Sequence, residues 1–325
     1  MLIFAWILYW FDRYEKEPGL LLGAVFLWGA IVAAGSAFLI NTFLGLGFYL
    51  FTGSETVTNF ASGSLIAPFV EETLKGLAVL AVFLVFHREF DSILDGIIYA
   101  GITALGFAAT ENTYYIYAYG FHDSGWVGIW SMAFIRVFLV GWQHPFYTSF
   151  TGIGLATSRM NRSNWQKIAA PLVGFSLAVF GHSIHNSIST LFTGLNGLLI
   201  GAIFDWTGWL LMFIFILWMI KKEKKNLITF LKDEVSNGTI TEAQYQTAIS
   251  TRSQSSARLA AIFKGTFKNT HRFYSLCGEL SHKKNQFSKM GDEAGNLNII
   301  KNIQVELARL NVLLEVPTTS ITQKE

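Results

Sequence analysis

The sequence predicts an all-α membrane protein with about seven spanning helices and a soluble helical tail at its C-terminal end. Hydrophobic residues make up 52% of the 325 residues and charged residues only 14%. Of the 24 Lys and Arg residues, 16 lie after residue 220. Soluble domains usually contain about 25% charged residues, so long apolar segments must account for the deficit. This composition excludes an ordinary soluble enzyme, a disordered chain and a nucleic-acid-binding protein.

Seven apolar runs are predicted to cross the membrane, because about 20 helical residues span about 30 Å of hydrocarbon. The runs cover roughly residues 1–11, 19–51, 60–86, 92–118, 127–157, 168–192 and 198–220. The first is about half the usual length. No basic segment precedes it and no A-x-A cleavage pattern follows it, so a signal peptide is not expected. The second run is long enough to tilt or bend.

Basic residues in the predicted loops set the orientation. They lie in alternate loops and after the last span: Arg13, Lys16, Arg88, Arg159, Arg162, Lys167 and the run beginning at Lys221. The other loops, around residues 52–59, 119–126 and 193–197, contain no Lys or Arg. Since cytoplasmic loops carry the excess of basic residues, we expect an inner (plasma) membrane protein with its N-terminus outside and its tail in the cytoplasm.

The chain therefore divides into an apolar core, residues 1–220, and a cytoplasmic tail, residues 221–325. The tail is predicted to form short soluble helices whose basic residues can lie on anionic lipid. It contains no evident catalytic set of side chains. The single cysteine, Cys277, excludes an internal disulfide framework and a multi-cysteine zinc site.

Ionisable side chains inside the predicted spans identify the candidate site, because each costs at least about 2.5 kcal/mol if charged and unpaired at a helix centre. They are Glu71, Glu72, Lys75, Asp95, Glu111, Arg136, His144, His182, His185 and Asp205. Asp95 lies near a cytoplasmic helix end, and Asp205 lies near an outer end where it can snorkel, so both are expected to be structural. Arg136 is also interpreted as structural, and His185 fits such a role equally well.

The remaining residues agree in depth. Counted from the outer ends of their spans, Glu71, Glu72, His144 and His182 all lie within about 10 Å of one mid-membrane level. Glu111 lies somewhat higher. Four helices would thus bring carboxylates and imidazoles into one layer. A polar lattice that merely holds the helices together is the structural alternative.

Spacing within the helices adds detail. Glu71 and Glu72 precede Lys75 by four and three residues, so the ammonium group can neutralise one carboxylate and leave the other free to act as a base. His182 and Asn186 are also four residues apart, and both can donate to an oxyanion. Small residues before Glu111 and Asn112 allow a neighbouring helix to approach closely.

These side chains can activate a water molecule for peptide hydrolysis in two ways. A carboxylate and a histidine can act directly as acid and base. Alternatively, Zn²⁺ can be held by His and Glu side chains and polarise the water. The possible metal ligands are Glu72, Glu111, His144 and His182. The H-E-x-x-H pattern of soluble zinc proteases is absent, so the ligands would come from separate helices.

Five segments together resemble motifs of the PrsW family of bacterial intramembrane proteases. They are Asp12–Pro18 (DRYEKEP), Pro68–Lys75 with its E-E-x-x-K pattern, Gly106–Asn112, His144 with Thr148, and His182–Asn186 as H-x-x-x-N. The resemblance covers about residues 10–192. It implies a glutamate- or metal-dependent protease of the wider group that includes the CAAX prenyl endopeptidases.

The resemblance also implies roles for individual residues. Glu71 would be the base, His144 would share the water, and Glu72 with Lys75 would support them. His182 and Asn186 would stabilise the oxyanion. The substrate of such a protease is a membrane protein or peptide, in the family's characterised role a single-span anti-sigma factor.

We therefore predict that residues 1–220 form an intramembrane endopeptidase. Its catalytic residues are Glu71, Glu72, Glu111, His144, His182 and Asn186, with Lys75 and Asn112 in support. A non-catalytic scaffold or chaperone of the same fold and an ion-coupled transporter are the alternatives. An inverted repeat would favour the transporter, and none is evident; the retained His–Glu–His set favours an enzyme over a scaffold.

Overall fold

The computed structural model describes residues 1–192, 194–292 and 295–315, so the last ten residues of the predicted tail lie outside the described residues. The chain is 89% helical and the described residues contain no strand, which confirms the all-α prediction. The α-helices are α1 Leu2–Phe11, α2 Gly19–Leu27, α3 Ala34–Thr52, α4 Glu55–Ala61, α5 Ala67–Val85, α6 Ile93–Tyr115, α7 His122–Ala133, α8 Gln143–Arg159, α9 Asn164–Leu191, α10 Gly194–Ser236, α11 Glu242–Ala248, α12 Thr251–Phe263, α13 Phe267–Met290 and α14 Asn296–Glu315. Wider π-helical turns join several of them, at Trp28–Ala33, Ser62–Ile66, Ile116–Phe121 and Phe134–Leu139.

Four helical stretches among the described residues are long and apolar enough to cross a membrane, which makes the chain an integral membrane protein. They are Gly19–Thr52, Ile93–Arg159, Asn164–Leu191 and Gly194–Ser236. The second has 67 residues and would be about 100 Å long as one straight helix. Its backbone leaves helical geometry at Ser124 and Gly125. The count of about seven spans stays a prediction, since α5 carries three charges and α1 has only 10 residues.

The helices form two compact units. The first contains Met1–Asp12 and Glu17–Met219, and the second contains Arg13–Lys16 and the described residues from Ile220 onward. The roles predicted for the two parts of the chain, a protease core and a cytoplasmic tail, stay predictions.

Helix α6 is the centre of the first unit. Its residues from Leu94 to Ala108 are all buried. It packs on α8 at a close crossing, where a Cβ atom at Gly96 would clash with the carbonyl oxygen of Gly152. Small residues at this crossing bring the helix backbones together, and α6 presents Glu111 just beyond its buried stretch.

Helix α5 buries its charged side chains instead of exposing them. Glu71, Glu72 and Lys75 are buried together with Val79 and Val82, which follow at helical spacing. The polar face of this helix therefore points into the protein core, where its charges need partners from other helices.

The second unit has its own core, which includes Leu227, Leu231, Phe273 and Leu307. A capping box at Thr241 and Gln244 begins α11.

Four residues of the first predicted loop also belong to the second unit. Tyr14 is buried, its carbonyl oxygen lies where a Cβ atom at Gly278 would sit, and Glu15 Oε2 lies 3.0 Å from His282 Nδ1. The charge pattern of the sequence did not predict this packing.

Candidate active site

Four helices bring the charged side chains of the predicted spans into one cluster. Helix α5 supplies two glutamates and a lysine, α6 supplies a third glutamate, and α8 and α9 supply one histidine each. The cluster comprises Glu71, Glu72, Lys75, Glu111, His144 and His182. All except Glu111 are at most 7% exposed.

Glu72 is fully engaged by its neighbours. Its Oε1 atom lies 2.5 Å from Lys75 Nζ and 3.0 Å from His182 Nδ1. Its Oε2 atom accepts a hydrogen bond of 2.8 Å from the Thr148 hydroxyl. Because both oxygens have partners and the side chain is 0% exposed, Glu72 does not present a free acceptor.

Glu71 is placed differently. Its Oε2 atom lies 4.0 Å from Lys75 Nζ and 3.9 Å from His182 Nε2. This oxygen is buried and has no hydrogen-bond partner among the described residues. Unsatisfied buried acceptors are rare in proteins and point to an unseen partner or a chemical role.

His182 is held on both sides of its ring. Its Nδ1 faces Glu72, and its Nε2 faces Glu71. The Tyr147 ring stacks on the imidazole with centroids 5.2 Å apart and planes 20° apart. A carboxylate on one ring nitrogen fixes the direction of the other, as is usual for histidines that bind metals.

His144 connects the lysine to the third glutamate. Its Nδ1 lies 3.3 Å from Lys75 Nζ, and its Nε2 lies 2.8 Å from Glu111 Oε2. The same Glu111 oxygen accepts a hydrogen bond of 2.7 Å from Arg136 Nη2. Glu111 is therefore shared between a histidine and an arginine.

Arg136, predicted to be structural, is part of this network. Arg136 Nε donates to Asn112 Oδ1 over 2.9 Å, and Asn112 Nδ2 donates to the Arg136 carbonyl over 3.2 Å. The Arg136 guanidinium lies 4.2 Å from the Tyr115 ring centroid. Asn112 thus supports Arg136, which in turn pairs with Glu111. The pair could have been predicted from the sequence, because an arginine deep in one predicted span needs an acidic partner and Glu111 on another span lacked one.

Asn186 makes no hydrogen bond to the cluster among the described residues. It lies one turn beyond His182 on α9, and its Nδ2 donates to the Gly63 carbonyl over 2.8 Å. This bond uses one of its two amide hydrogens. The role of Asn186 as an oxyanion donor stays a prediction.

A second buried polar group lies beside the cluster, and its member Tyr147 was not among the predicted site residues. Asp205 accepts a hydrogen bond of 2.5 Å from the Tyr147 hydroxyl, and its other oxygen lies 2.9 Å from His185 Nδ1. Asp205 is 4% exposed, so it does not snorkel towards the membrane surface as expected. Tyr147 carries no formal charge, so the search for ionisable residues inside the spans did not select it.

One group of three side chains fits a metal ion. Glu71, His144 and His182 each offer a ligand atom, and these atoms lie within 4.8 Å of one another. Three protein ligands from N and O donors, with a position left for water, are typical of catalytic zinc. The unsatisfied Glu71 oxygen agrees with such a ligand. This set contains Glu71 in place of the predicted Glu72 and Glu111.

A cavity of about 570 Å³ adjoins the cluster between α3 and α6. Glu71 and Glu111 lie in its wall, which is otherwise mainly apolar and aromatic. The cluster is therefore accessible to a ligand on one side.

The chain is similar to known proteins of one family. The sequence model described as PrsW family intramembrane metalloprotease matches residues 17–219. A protein named Protease PrsW from Bacillus subtilis (strain 168) is 26% identical over 216 residues, which is 66% of this chain and 86% of that protein.

Two further relatives carry the same name. The one from Clostridioides difficile (strain 630) is 37% identical over 107 residues, 33% of this chain and 43% of that protein. The one from Geobacillus kaustophilus (strain HTA426) is 32% identical over 109 residues, 34% of this chain and 45% of that protein. No solved structure matches the chain. Because the family model covers more than half of the sequence, the predicted family is confirmed and this chain belongs to the PrsW family of intramembrane metalloproteases.

Proposed function

We propose that the chain hydrolyses peptide bonds of membrane-protein substrates within the bilayer and that Glu71 is the central catalytic group. The observation that carries the proposal is the buried Glu71 oxygen, which has no hydrogen bond among the described residues and lies in the wall of the cavity. Glu72 and Glu111 are instead engaged by Lys75 and Arg136.

In the direct mechanism, the free Glu71 oxygen accepts a hydrogen bond from water and takes its proton as the water attacks the scissile carbonyl. General bases of this kind contribute about 10²–10⁴-fold to the rate. The Lys75 ammonium lies 4.0 Å from the same oxygen and can stabilise negative charge on the carbonyl oxygen.

The contacts of His182 favour a different role from the predicted oxyanion donor. A carboxylate only accepts hydrogen bonds, so the Nδ1 atom beside Glu72 carries the hydrogen of a neutral imidazole. Nε2 then has a lone pair directed at Glu71. This tautomer suits a ligand or a water-orienting acceptor.

The same three side chains support a metal-dependent form of the reaction. Glu71, His144 and His182 would hold a divalent ion such as Zn²⁺. The ion would act as a Lewis acid on the water and the substrate carbonyl. Glu72 would fix His182 through Nδ1, and Glu111 would do the same for His144 through Nε2.

The substrate class and the topology follow from the predictions above. We propose a single-span membrane protein as substrate, with an anti-sigma factor as the family precedent, and about seven spans with the N-terminus outside. A reporter fused after Lys225 should then be cytoplasmic, and one inserted in residues 52–59 external. A tail that is accessible from outside intact cells would contradict this orientation.

Cleavage of a single-span reporter in reconstituted vesicles tests the proposed activity. Wild type should release two fragments, and Glu71→Gln should release neither. A non-catalytic scaffold or a transporter would cleave nothing, and the relatives' names favour neither.

A further inference from the structure

We infer that the cavity between α3 and α6 is the substrate groove, that it takes a short unwound stretch of a transmembrane segment entering from the lipid, and that Asn41 binds the backbone of that stretch. This inference rests on the proposed protease function. Its evidence is the packing of α3 against α6, the residues at the mouth of the cavity and one unsatisfied polar atom in its wall.

Helix packing explains why the cavity exists. A Cβ atom at Gly29 would clash with the Thr103 carbonyl, and one at Gly106 would clash with the Phe26 carbonyl. The helix containing Gly29 therefore touches α6 backbone to backbone at this point. Gly29 lies within the π-helical turn Trp28–Ala33. Beyond this turn, α3 leaves a space of about 570 Å³ against α6, and Glu71 lies in its wall.

Two aromatic side chains mark the mouth of this groove. Phe38 of α3 is 58% exposed and Tyr114 of α6 is 48% exposed. Their rings meet edge to face with centroids 6.0 Å apart. In a membrane-spanning protein, such exposed apolar rings face lipid. Rotation of two side chains, without movement of a helix, would open the groove laterally.

The wall of the groove contains a polar atom that suits a peptide. Asn41 Oδ1 is buried and has no hydrogen-bond partner among the described residues. The neighbouring wall residues Ala34, Ala37 and Phe107 are apolar. An unwound peptide presents free backbone N–H groups, which hydrocarbon cannot satisfy. An acceptor in an apolar groove next to Glu71 can bind such a group.

Hydrogen bonding favours an unwound stretch over a helix in the cavity of about 570 Å³. In a helix, the carbonyl groups are occupied by the helix's own hydrogen bonds. A short extended segment exposes the scissile carbonyl to Glu71.

Photo-crosslinking tests the groove independently of cleavage. The full chain with Glu71→Gln carries a benzophenone amino acid at Phe38 or, as a control, at Phe43, which lies on the same helix, is 71% exposed and does not line the cavity. The probe is a biotinylated single-span Leu/Ala peptide with a central Gly-Gly pair, in phosphatidylcholine vesicles. We expect several-fold more crosslinked peptide from position 38 than from position 43. Equal yields would overturn the inference.

Groove-filling variants give a second readout. An added Cβ atom meets nothing within 4 Å at Gly35, which lines the groove, or at Gly47, which does not. For this readout the benzophenone amino acid replaces Tyr114. Gly35→Leu should then reduce crosslinking strongly, whereas Gly47→Leu should leave it unchanged. Asn41→Leu should raise KM about tenfold, because one peptide N–H group loses its acceptor. If Gly35→Leu and Gly47→Leu crosslink alike, the groove is not the binding site.

The two proposals fail in different ways. Specific crosslinking at position 38 without cleavage by wild type would contradict the protease proposal and support the groove. Cleavage with equal crosslinking from positions 38 and 43 would contradict the groove and support the protease proposal.

Discussion

Lys75 Nζ lies 2.5 Å from Glu72 Oε1 but 4.0 Å from Glu71 Oε2, although both glutamates are within one helical turn of it. The lysine therefore pairs closely with one carboxylate. His182 and Thr148 complete the partners of Glu72, while the Glu71 oxygen remains without a hydrogen bond among the described residues. In the proposed mechanism, this asymmetry makes Glu72 the positioning carboxylate and Glu71 the reactive one.

Removal of the lysine should destabilise the protein strongly. Lys75→Met leaves Glu72 buried without its cation, and breaking a buried ion pair typically costs about 3–5 kcal/mol. Chemical unfolding in detergent measures the effect, with Lys167→Met on α9 as control. The double variant Lys75→Met/Glu72→Gln should recover part of the loss. Unchanged stability of Lys75→Met would show that the pair is unimportant.

Arg136→Gln should reduce the free energy of unfolding by about 1–3 kcal/mol, because it leaves the Glu111 carboxylate without its charged donor. The stability of Arg136→Lys should lie between those of wild type and Arg136→Gln, since lysine cannot reproduce the separate bonds to Glu111 and Asn112. The exposed Arg162→Gln is the matched control. Thermal unfolding of the three variants checks this order of stability. An Arg136→Gln protein as stable as wild type would contradict it.

Metal analysis distinguishes the two forms of the mechanism. We expect the detergent-purified protein to contain about one divalent ion per chain, a chelator to abolish cleavage, and Zn²⁺ to restore it. His182→Gln should lose the ion, because it removes one of the three ligands. His122→Gln, at an 82% exposed side chain, should keep it. Full cleavage by metal-free protein would contradict the metal-dependent mechanism and support Glu71 as a direct base.

The second unit should lose stability in mild acid. Burial, together with nearby Arg258 and Lys16, lowers the pKa of His271 below its ordinary value of 6.5. The unfolded chain thus binds the proton more readily, so the stabilisation is complete above about pH 6.5 and is lost as the pH falls towards the lower folded-state pKa.

Hydrogen exchange of α13 measures this effect. Protection, corrected for intrinsic exchange, should fall between about pH 7.5 and about pH 5.5 in wild type. It should fall less in His271→Phe, which keeps the ring stacking on Phe267 and removes the titrating group. The same pH dependence in both proteins would assign the effect to another residue.

Much of the candidate site could be predicted from the sequence because charge inside a membrane span is costly. Glu71, Glu72 and Lys75 stand out in an apolar run, and their helical spacing indicates which of them can pair. His144 and His182 could be placed at the same depth by counting residues. None of these inferences requires knowledge of how the helices are arranged.

The remaining features depend on packing that spacing does not specify. Tyr147 and Asp205 come from two different helices, and an uncharged tyrosine carries no sequence signal of such a partner. Asn186 shares a face with His182, yet its amide binds the Gly63 carbonyl one turn away. The groove beside α3 arises from a close backbone contact at Gly29. Helix periodicity does not predict which glycine makes such a contact.

The most direct test of the account is cleavage of the single-span reporter by Glu71→Gln, which keeps the size of the side chain and removes the carboxylate. We expect turnover to fall at least about 10²-fold, with thermal stability close to that of wild type. The exposed Glu55→Gln should cleave normally. Full cleavage by a correctly folded Glu71→Gln protein would contradict the central role of Glu71.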